Sequence, residues 1–453
     1  MGAGPSGIYA AEALSHQSEV PVRVAVLDRL PVPFGLVRYG VAPDHHSIRS
    51  IRNTLERTLE RANVRFYGDV TIGKDLTIDE LRGAVDAVIY AYGAGSDKRL
   101  GIEGEDLVGS IAAPEFVAWY CGHPDVHPDI DRTFALSTQQ SAELIATTRE
   151  AVVVGIGNVA LDVARVLIKG SDELSGTDMA DDVLTSLDRK TVTDVHILGR
   201  RGPAYTAFTT KELRELGQLS GVDVIVDPAD LHLDESSQAV IGQDKVAARN
   251  LAVMTEWAAR PPTGADRRIH FHFWTRPNRI LGADRVRAVE VQGTRINADG
   301  YVEPIGEAYE ISAQLVIRSV GYRGVPLPGL SFDESTSRVP HAEGRVIRDG
   351  EFSADEYVTG WIKRGPTGVI GTNKSDAVET VTSLLTDIGD GALTQRHTPS
   401  DLDLLLASRG IHSLGMSAWH RIDAAEIELG QSRGRPRTTL AHRSELLAAA
   451  GDE

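Results

Sequence analysis

The chain has 453 residues and a single cysteine. Cys121 alone excludes an intrachain disulfide, a C-x-x-C redox pair and an iron–sulfur cluster held by this chain's own thiolates. Beside Trp119 and Tyr120 it reads as a packing residue. No run of about 20 apolar residues occurs, and no signal-peptide pattern. A soluble, cytoplasmic protein without a membrane association is therefore expected. Positive charge is also in deficit: 47 Lys and Arg stand against 64 Asp and Glu, for a formal net charge of −17. That balance disfavours nucleic acid and anionic membrane surfaces. It disfavours an acidic protein partner too, unless basic residues cluster locally. The 14 histidines show no spacing that commands a metal. His270-x-His272 reads as one face of a strand, and no metal site is expected. No Pro/Ser-rich linker divides the chain.

What is present is an ordinary globular composition, 42% hydrophobic and 25% charged, long enough for two to three domains. Within it stand two glycine-rich fingerprints. The first is Gly2-Ala3-Gly4-Pro5-Ser6-Gly7, a G-x-G-x-x-G. A helical stretch, Ile8 to His16, follows it, and then an apolar strand, Val22 to Leu27, ending in Asp28. Such a turn brings a diphosphate against a helix N-terminus, where unpaired N–H groups and the dipole favour negative charge. An acid about 20 residues further on can accept the ribose hydroxyls of an adenosine. The fingerprint should follow a buried strand, yet only Met1 precedes Gly2. Either the natural polypeptide begins several residues upstream, or this domain lacks its first strand.

The second fingerprint is Gly155-Ile156-Gly157-Asn158-Val159-Ala160, a G-x-G-x-x-A with its full context. The apolar run Ala151 to Val154 precedes it, as a buried parallel strand should. Asn158 opens a helix with Val159, Val163 and Val166 on one face. The next strand, Val192 to Leu198, ends in Gly199-Arg200-Arg201 rather than in an acid. A carboxylate there would repel a 2′-phosphate, whereas guanidinium groups pair with it bidentately. NADP(H) is expected over NAD(H). The segment from about Lys169 to Lys190 looks like a polar insertion. Two such sites in one chain imply two dinucleotides, most economically a bound flavin and a visiting nicotinamide.

Strand and helix patterns organise the rest. The expected fold is α/β, with two nested Rossmann-like dinucleotide-binding domains in a glutathione-reductase-like architecture. Residues 1–108 and 325–453 form the FAD-binding domain, and 109–324 the NADP-binding domain. The runs Asp86 to Gly93 and Gln314 to Gly321 carry the chain out of the first domain and back. Further strands are expected near Val222 to Val226, Ile269 to Trp274 and Val286 to Val291. The loop Pro31 to His45, with three prolines and two glycines, stands where a flavin ring would be wrapped. The glycine-dense loop Thr359 to Asn373 leads into a helix near Ser375. Its N–H groups and positive dipole end suit the charge that reduction places on a flavin. The basic run Arg433-Gly434-Arg435-Pro436-Arg437 reads as a solvated loop.

Four stretches then carry a resemblance over nearly the whole chain. They are Gly35 to His45, Gly155 to Arg165, Gly199-Arg200-Arg201-Gly202-Pro203, and Gly360 to Asn373. The chain resembles the adrenodoxin-reductase-like branch of ferredoxin–NADP reductases, particularly the actinobacterial type. The resemblance implies an oxidoreductase passing electrons from NADPH through FAD to a ferredoxin. It implies that Gly2, Gly4, Pro5, Ser6 and Gly7 approach the FAD diphosphate, and that Asp28 takes the adenosine ribose. Leu36 and Val70 would touch the FAD, while Trp361, Gly368, Val369 and Ile370 hold its ring system. Gly155, Gly157, Asn158 and Val159 would bind the NADP diphosphate, and Arg200 and Arg201 the 2′-phosphate. Glu212 would reach the nicotinamide end near His45, and these two are the expected catalytic residues. The acceptor would dock on a local basic patch, with Arg49, Arg52, Arg57, Arg61 and Arg364 as candidates. An NADPH-dependent flavin monooxygenase and a non-enzymatic redox sensor remain the alternatives.

Overall fold

Pro5 stands at the first position of the helix Pro5–His16, where its fixed φ suits a helix and its missing N–H would have had no partner. That helix grows directly out of the first fingerprint. In this computed structural model, which describes residues 1–126, 138–398 and 400–451, the chain divides into two units. One is Met1–Ser96 with Gly321–Glu453; the other is Asp97–Val320. No helix of the described residues is long and apolar enough to cross a membrane.

In the first unit, Val24–Leu27 pairs in parallel with Val64–Tyr67. Val88–Tyr90 pairs in parallel with Glu351–Val358, whose other edge continues antiparallel into Arg345–Arg348. Met1 and Gly2 lie between these two groups. The Met1 amino group donates to the Ile89 carbonyl at 2.9 Å. Ala91 N–H donates to the Met1 carbonyl at 2.8 Å, and Gly2 N–H to the Leu27 carbonyl at 2.7 Å. These two residues thus make the ladder bonds of the strand that the fingerprint calls for. The core joins Leu27, Tyr67, Val70, Tyr90, Val358 and Ile362. The helix Pro5–His16 packs on the 18-residue helix Thr372–Gly389, whose N-terminus ends the second glycine-rich loop.

The second unit is built on a parallel sheet. Its strand order is Ser110–Ala112, Leu315–Arg318, Glu150–Val154, Asp194–Leu198, Arg267–His272, Val222–Val226. Each neighbouring pair is parallel. Alternation divides its two faces. Val152, Val154, Leu198 and Val316 pack against Val286, Val289, Val291 and Ile311 of an antiparallel meander, Thr275–Gly282, Val286–Ile296 and Val302–Ser312. The helix Asn158–Ile168 is buried along almost its whole length, from Ala160 to Ile168. The segment expected to be a polar insertion contains two helices. Ser171–Leu174 and Asp181–Asp188 turn Leu174, Val183 and Leu187 inward, because Val183 and Leu187 stand four apart on one face.

His270 and His272 do form a strand face. His270 stands opposite His196 in register, with ring centroids 4.5 Å apart. Burial, then the neighbouring imidazole of His270, pushes His196 down to about 3 and His272 to about 4, so both are neutral at neutral pH. Asp194 accepts from His270 at 2.9 Å and bidentately from Arg268.

Candidate functional site

The first fingerprint can be built only from glycine at two positions. Gly2 has φ +102°, and a Cβ there would lie 2.5 Å from the Ala91 carbonyl oxygen. A Cβ on Gly7 would lie 1.9 Å from the Gly2 carbonyl oxygen. Gly4 is the N-cap of the helix and has no side-chain cap, so the turn keeps its N–H face for an anion. Asp28 closes the turn from the strand end. Its Oδ2 accepts Ala3 N–H at 2.7 Å, and its Oδ1 accepts Leu30 N–H at 2.9 Å. Burial pushes its carboxyl up, against the two amides that pull it down. Each oxygen retains a second lone pair with which to accept a ribose hydroxyl.

Both flavin-side loops rest on this turn. Gly35, with φ +48°, would place a Cβ 2.9 Å from the Gly4 Cα, and Phe34 N–H donates to the Ala3 carbonyl at 2.7 Å. That contact seats Leu36 and the helix Leu36–Tyr39. Gly360, with φ +79°, would place a Cβ 2.3 Å from the Ser6 Oγ. Ser6 Oγ donates to Asn373 Oδ1 at 3.0 Å. Asp376 then fixes the Gly360 turn: it accepts from Thr359 Oγ1 at 3.0 Å and from Gly360 N–H, and it pairs with the buried Lys363 at 3.0 Å. Trp361 lies against Tyr322, ring centroids 5.1 Å apart. Val369 is 60% exposed although apolar, and it sits with Gly368 and Ile370 at the N-terminal end of Thr372–Gly389. Val70 differs from the rest. Its side chain is in the core, and its N–H donates to the Asp28 carbonyl at 2.9 Å.

The second fingerprint is more open. Gly155 has φ +138°, and a Cβ there would lie 2.2 Å from the Ser319 carbonyl oxygen. Gly157 caps Asn158–Ile168 without a side-chain cap, and a Cβ on it would meet nothing within 4 Å. Asn158 faces inward: its Oδ1 accepts Thr209 N–H at 2.9 Å, which joins the fingerprint to the turn before the helix Thr210–Leu216. Val159 is half-buried beside it. Arg200 and Arg201 are both exposed at the end of Asp194–Leu198. Among the described residues neither forms an ion pair; Arg201 lies over the Tyr205 ring at 5.4 Å. The turn that presents them depends on Gly202, where a Cβ would lie 2.1 Å from the Trp274 ring.

The two expected catalytic residues lie in different units. His45 is buried and precedes the helix His46–Arg49; its N–H donates to the Ala42 carbonyl, and its side chain makes no capping bond. Glu212 is buried on Thr210–Leu216, 4.0 Å from the Arg165 guanidinium, which also pairs with Asp162 at 2.9 Å.

Sequence reasoning missed the supporting residues. Lys363 and Asn373 lie within the glycine-dense loop and Asp376 on the helix that follows it, and that position was their only signal. Tyr205 and Trp274 shape the arginine turn without any motif. The basic run is a correction: Arg435 and Arg437 are buried, not solvated, because Arg437 pairs with Glu426 and Asp423. The candidate docking arginines are also redistributed. Arg52 pairs with Asp423, Arg49 bonds the Val41 carbonyl, Arg61 bonds His16, and Arg364 bonds Asn373 and the Thr367 carbonyl. Arg57 remains exposed.

No family model matches the chain. Known proteins do. The chain is 44% identical over 459 residues to the NADPH-ferredoxin reductase FprA of Mycobacterium leprae, covering 99% of this chain and 96% of that one. It is 37% identical over 473 residues to the mitochondrial NADPH:adrenodoxin oxidoreductase of Arabidopsis thaliana, covering 100% and 95%. The solved structure of Mycobacterium tuberculosis FprA in complex with NADPH matches with a TM-score of 0.89 at 44% identity, covering 99% and 98%. The chain belongs to the NADPH–ferredoxin reductase family, and it has that family's α/β fold of two Rossmann-type units.

Proposed function

We propose that this oxidoreductase carries electrons from NADPH through bound FAD to an iron–sulfur protein of the ferredoxin class, in the cytoplasm. The observation that carries the reading is the pairing of two fingerprint turns with opposite strand ends: Asp28 after the first, Arg200 and Arg201 after the second. The glycine cradle at Gly2, Gly4 and Gly7, which a Cβ would fill, fits a diphosphate held close to backbone. FAD bound there supplies the conversion of a hydride into single electrons. The unit around the first fingerprint is the FAD-binding domain, and the unit around the second is the NADP-binding domain.

The chain's own groups then have simple duties. Asp28 takes the adenosine ribose, and Leu36, Trp361 and the Gly368–Ile370 backbone border the ring system. The N-terminus of Thr372–Gly389 faces negative charge with its dipole. Gly155, Gly157 and Asn158 hold the second diphosphate, and Arg200 and Arg201 select the 2′-phosphate by charge-assisted hydrogen bonds. His45 in the first unit and Glu212 in the second are the catalytic residues of this reading. One cysteine cannot ligate a cluster, so the acceptor's iron is held by another protein.

The test is NADPH oxidation with and without oxygen, each with and without a purified ferredoxin. Turnover that requires the ferredoxin supports the reading. Turnover that requires oxygen and ignores the ferredoxin would replace it with a monooxygenase, and no turnover at all with a sensor.

A further inference from the structure

The penultimate helix, Met416–Ser432, carries one carboxylate that no solvent reaches. Glu426 is 0% exposed, and three donors converge on it. Arg38 binds it with both terminal nitrogens, one at 3.0 Å. Arg437 binds Oε2 at 2.5 Å, and Leu440 N–H donates to Oε1 at 2.9 Å. Burial opposes ionisation, but Arg38 first, then Arg437 and the amide, hold the carboxyl below its usual range. Arg38 is itself only 4% exposed, so each charge is the other's compensation.

Arg38 lies on the short helix Leu36–Tyr39, immediately after the residues that rest on Gly4 of the first fingerprint. That segment is held in an unfavourable backbone shape: Phe34 has φ 87°, a region non-glycine residues rarely adopt. Such a shape persists only if its surroundings enforce it. The helix Met416–Ser432 supplies the enforcement twice. Trp419 meets the Phe34 ring edge-on at 5.2 Å, and Glu426 grips Arg38. The tail can reach Glu426 because Gly430 has no side chain; a Cβ there would lie 2.3 Å from the Arg437 Cα.

We propose that Glu426 is a positioning residue for the flavin, acting through Arg38 to press the Phe34–Gly40 loop onto the phosphate turn. The proposal rests on the reading that this turn holds FAD. Its consequence is that the helix Met416–Ser432, more than 400 residues from the fingerprint, sets how tightly the flavin is kept.

The test is the FAD dissociation rate of the purified holoprotein, measured by the rise of flavin fluorescence at a temperature well below each variant's Tm. Glu426→Gln preserves shape and removes charge; Arg38→Lys preserves charge and removes the two-pronged geometry. Each should speed FAD release by about ten- to a hundredfold, as for loss of a hydrogen bond to a charged group. The double variant should be little faster than either single one, since both act at one contact. Asp423→Asn loosens the tail through Arg437 and Arg52 without touching Arg38, and should lower Tm while FAD leaves at the wild-type rate. If Glu426→Gln is not obtained folded, Arg38→Lys alone decides. Wild-type release from Glu426→Gln or Arg38→Lys, or the same acceleration in Asp423→Asn, would overturn the positioning role and leave the FAD reading intact. Wild-type protein that carries and binds no FAD would sink the FAD reading itself.

Discussion

The two fingerprint turns share a motif and differ in how they are enclosed. Around the first, protein packs on the turn at three points: Gly35 lies on Gly4, Gly360 lies on Ser6, and Asp28 reaches back to Ala3. Around the second, Gly157 has open space and the two arginines at the strand end stand in solvent. A site closed by loops on both flanks suits a dinucleotide that stays. A site with an open glycine and exposed cationic side chains suits one that comes and goes. The motif alone encodes only that a diphosphate meets a helix N-terminus; the surroundings decide residence.

Substitution at the glycines should break this comparison most sharply. In Gly7→Ala the new methyl collides with backbone, at the Gly2 oxygen, so neither turn nor flavin survives. Flavin content, read as visible absorbance per protein, should fall to about a tenth of wild type or less. Gly157→Ala meets no protein atom, so the chain should fold and keep its FAD, while the methyl occupies space a diphosphate needs. The KM for NADPH should rise with flavin content unchanged. Equal flavin loss in both variants would erase the distinction between the two turns.

The arginine pair comes next in size. Replacing Arg200 and Arg201 together with Ala should raise the KM for NADPH by about ten- to a hundredfold and leave NADH almost unaffected. Equal weakening of both coenzymes would show that the pair does not read the 2′-phosphate.

The fold was legible in the sequence wherever pattern is local. Val222–Val226 appears as a strand with the expected bounds, Glu150–Val154 extends the expected run by one residue, and Leu315–Arg318 falls within its expected run. Both fingerprints open helices because glycine, Pro5 and Asn158 carry that signal in a few residues. The rest of each site depends on partners far apart in the chain. Nothing local marks Glu426 as the partner of Arg38, or Asp376 as the anchor of Gly360. The basic run 433–437 misled for the same reason: charge predicts exposure unless an opposite charge is buried beside it, and Glu426 is. In the region 169–190 the acids hid Val183 and Leu187 at helical spacing, so its helices went unread.

Acid titration separates the units by a smaller effect. Burial raises the Asp194 carboxyl, but Arg268, His270 and Thr193 more than reverse this and hold it far below the usual range. A depressed folded-state value stabilises the second unit above the ordinary carboxylate range and loses that stabilisation as pH falls below it. Arg268 is half-exposed, so solvent screening limits the pair to about 1 kcal/mol. Asp194→Asn should lower the stability of the second unit at pH 7 by that amount, with the difference shrinking toward acid pH and flavin content unchanged. A deficit independent of pH would show that the ion pairs are not its cause.

Salt should produce the smallest change in the protein and the most selective one in the reaction. An acceptor docking by local charge on a chain of net charge −17 is screened as the Debye length falls to about 3 Å at 1 M salt. Ferredoxin reduction should slow with ionic strength while reduction of a neutral dye changes much less. Arg57→Glu should harm only the ferredoxin reaction, since Arg52 and Arg364 are engaged within the fold. Identical salt profiles for both acceptors would remove Arg57 and charge steering from the account.

The central contrast, one dinucleotide kept and one exchanged, meets its most direct test in a double-mixing stopped-flow experiment without oxygen. Protein as purified is mixed first with NADPH or NADH, then with ferredoxin. The account predicts a stoichiometric flavin band that survives purification, bleaches faster with NADPH than with NADH at equal concentration, and returns as ferredoxin is reduced. A protein that lacks the band, bleaches equally fast with both coenzymes, or regains its colour only when oxygen is admitted would contradict it.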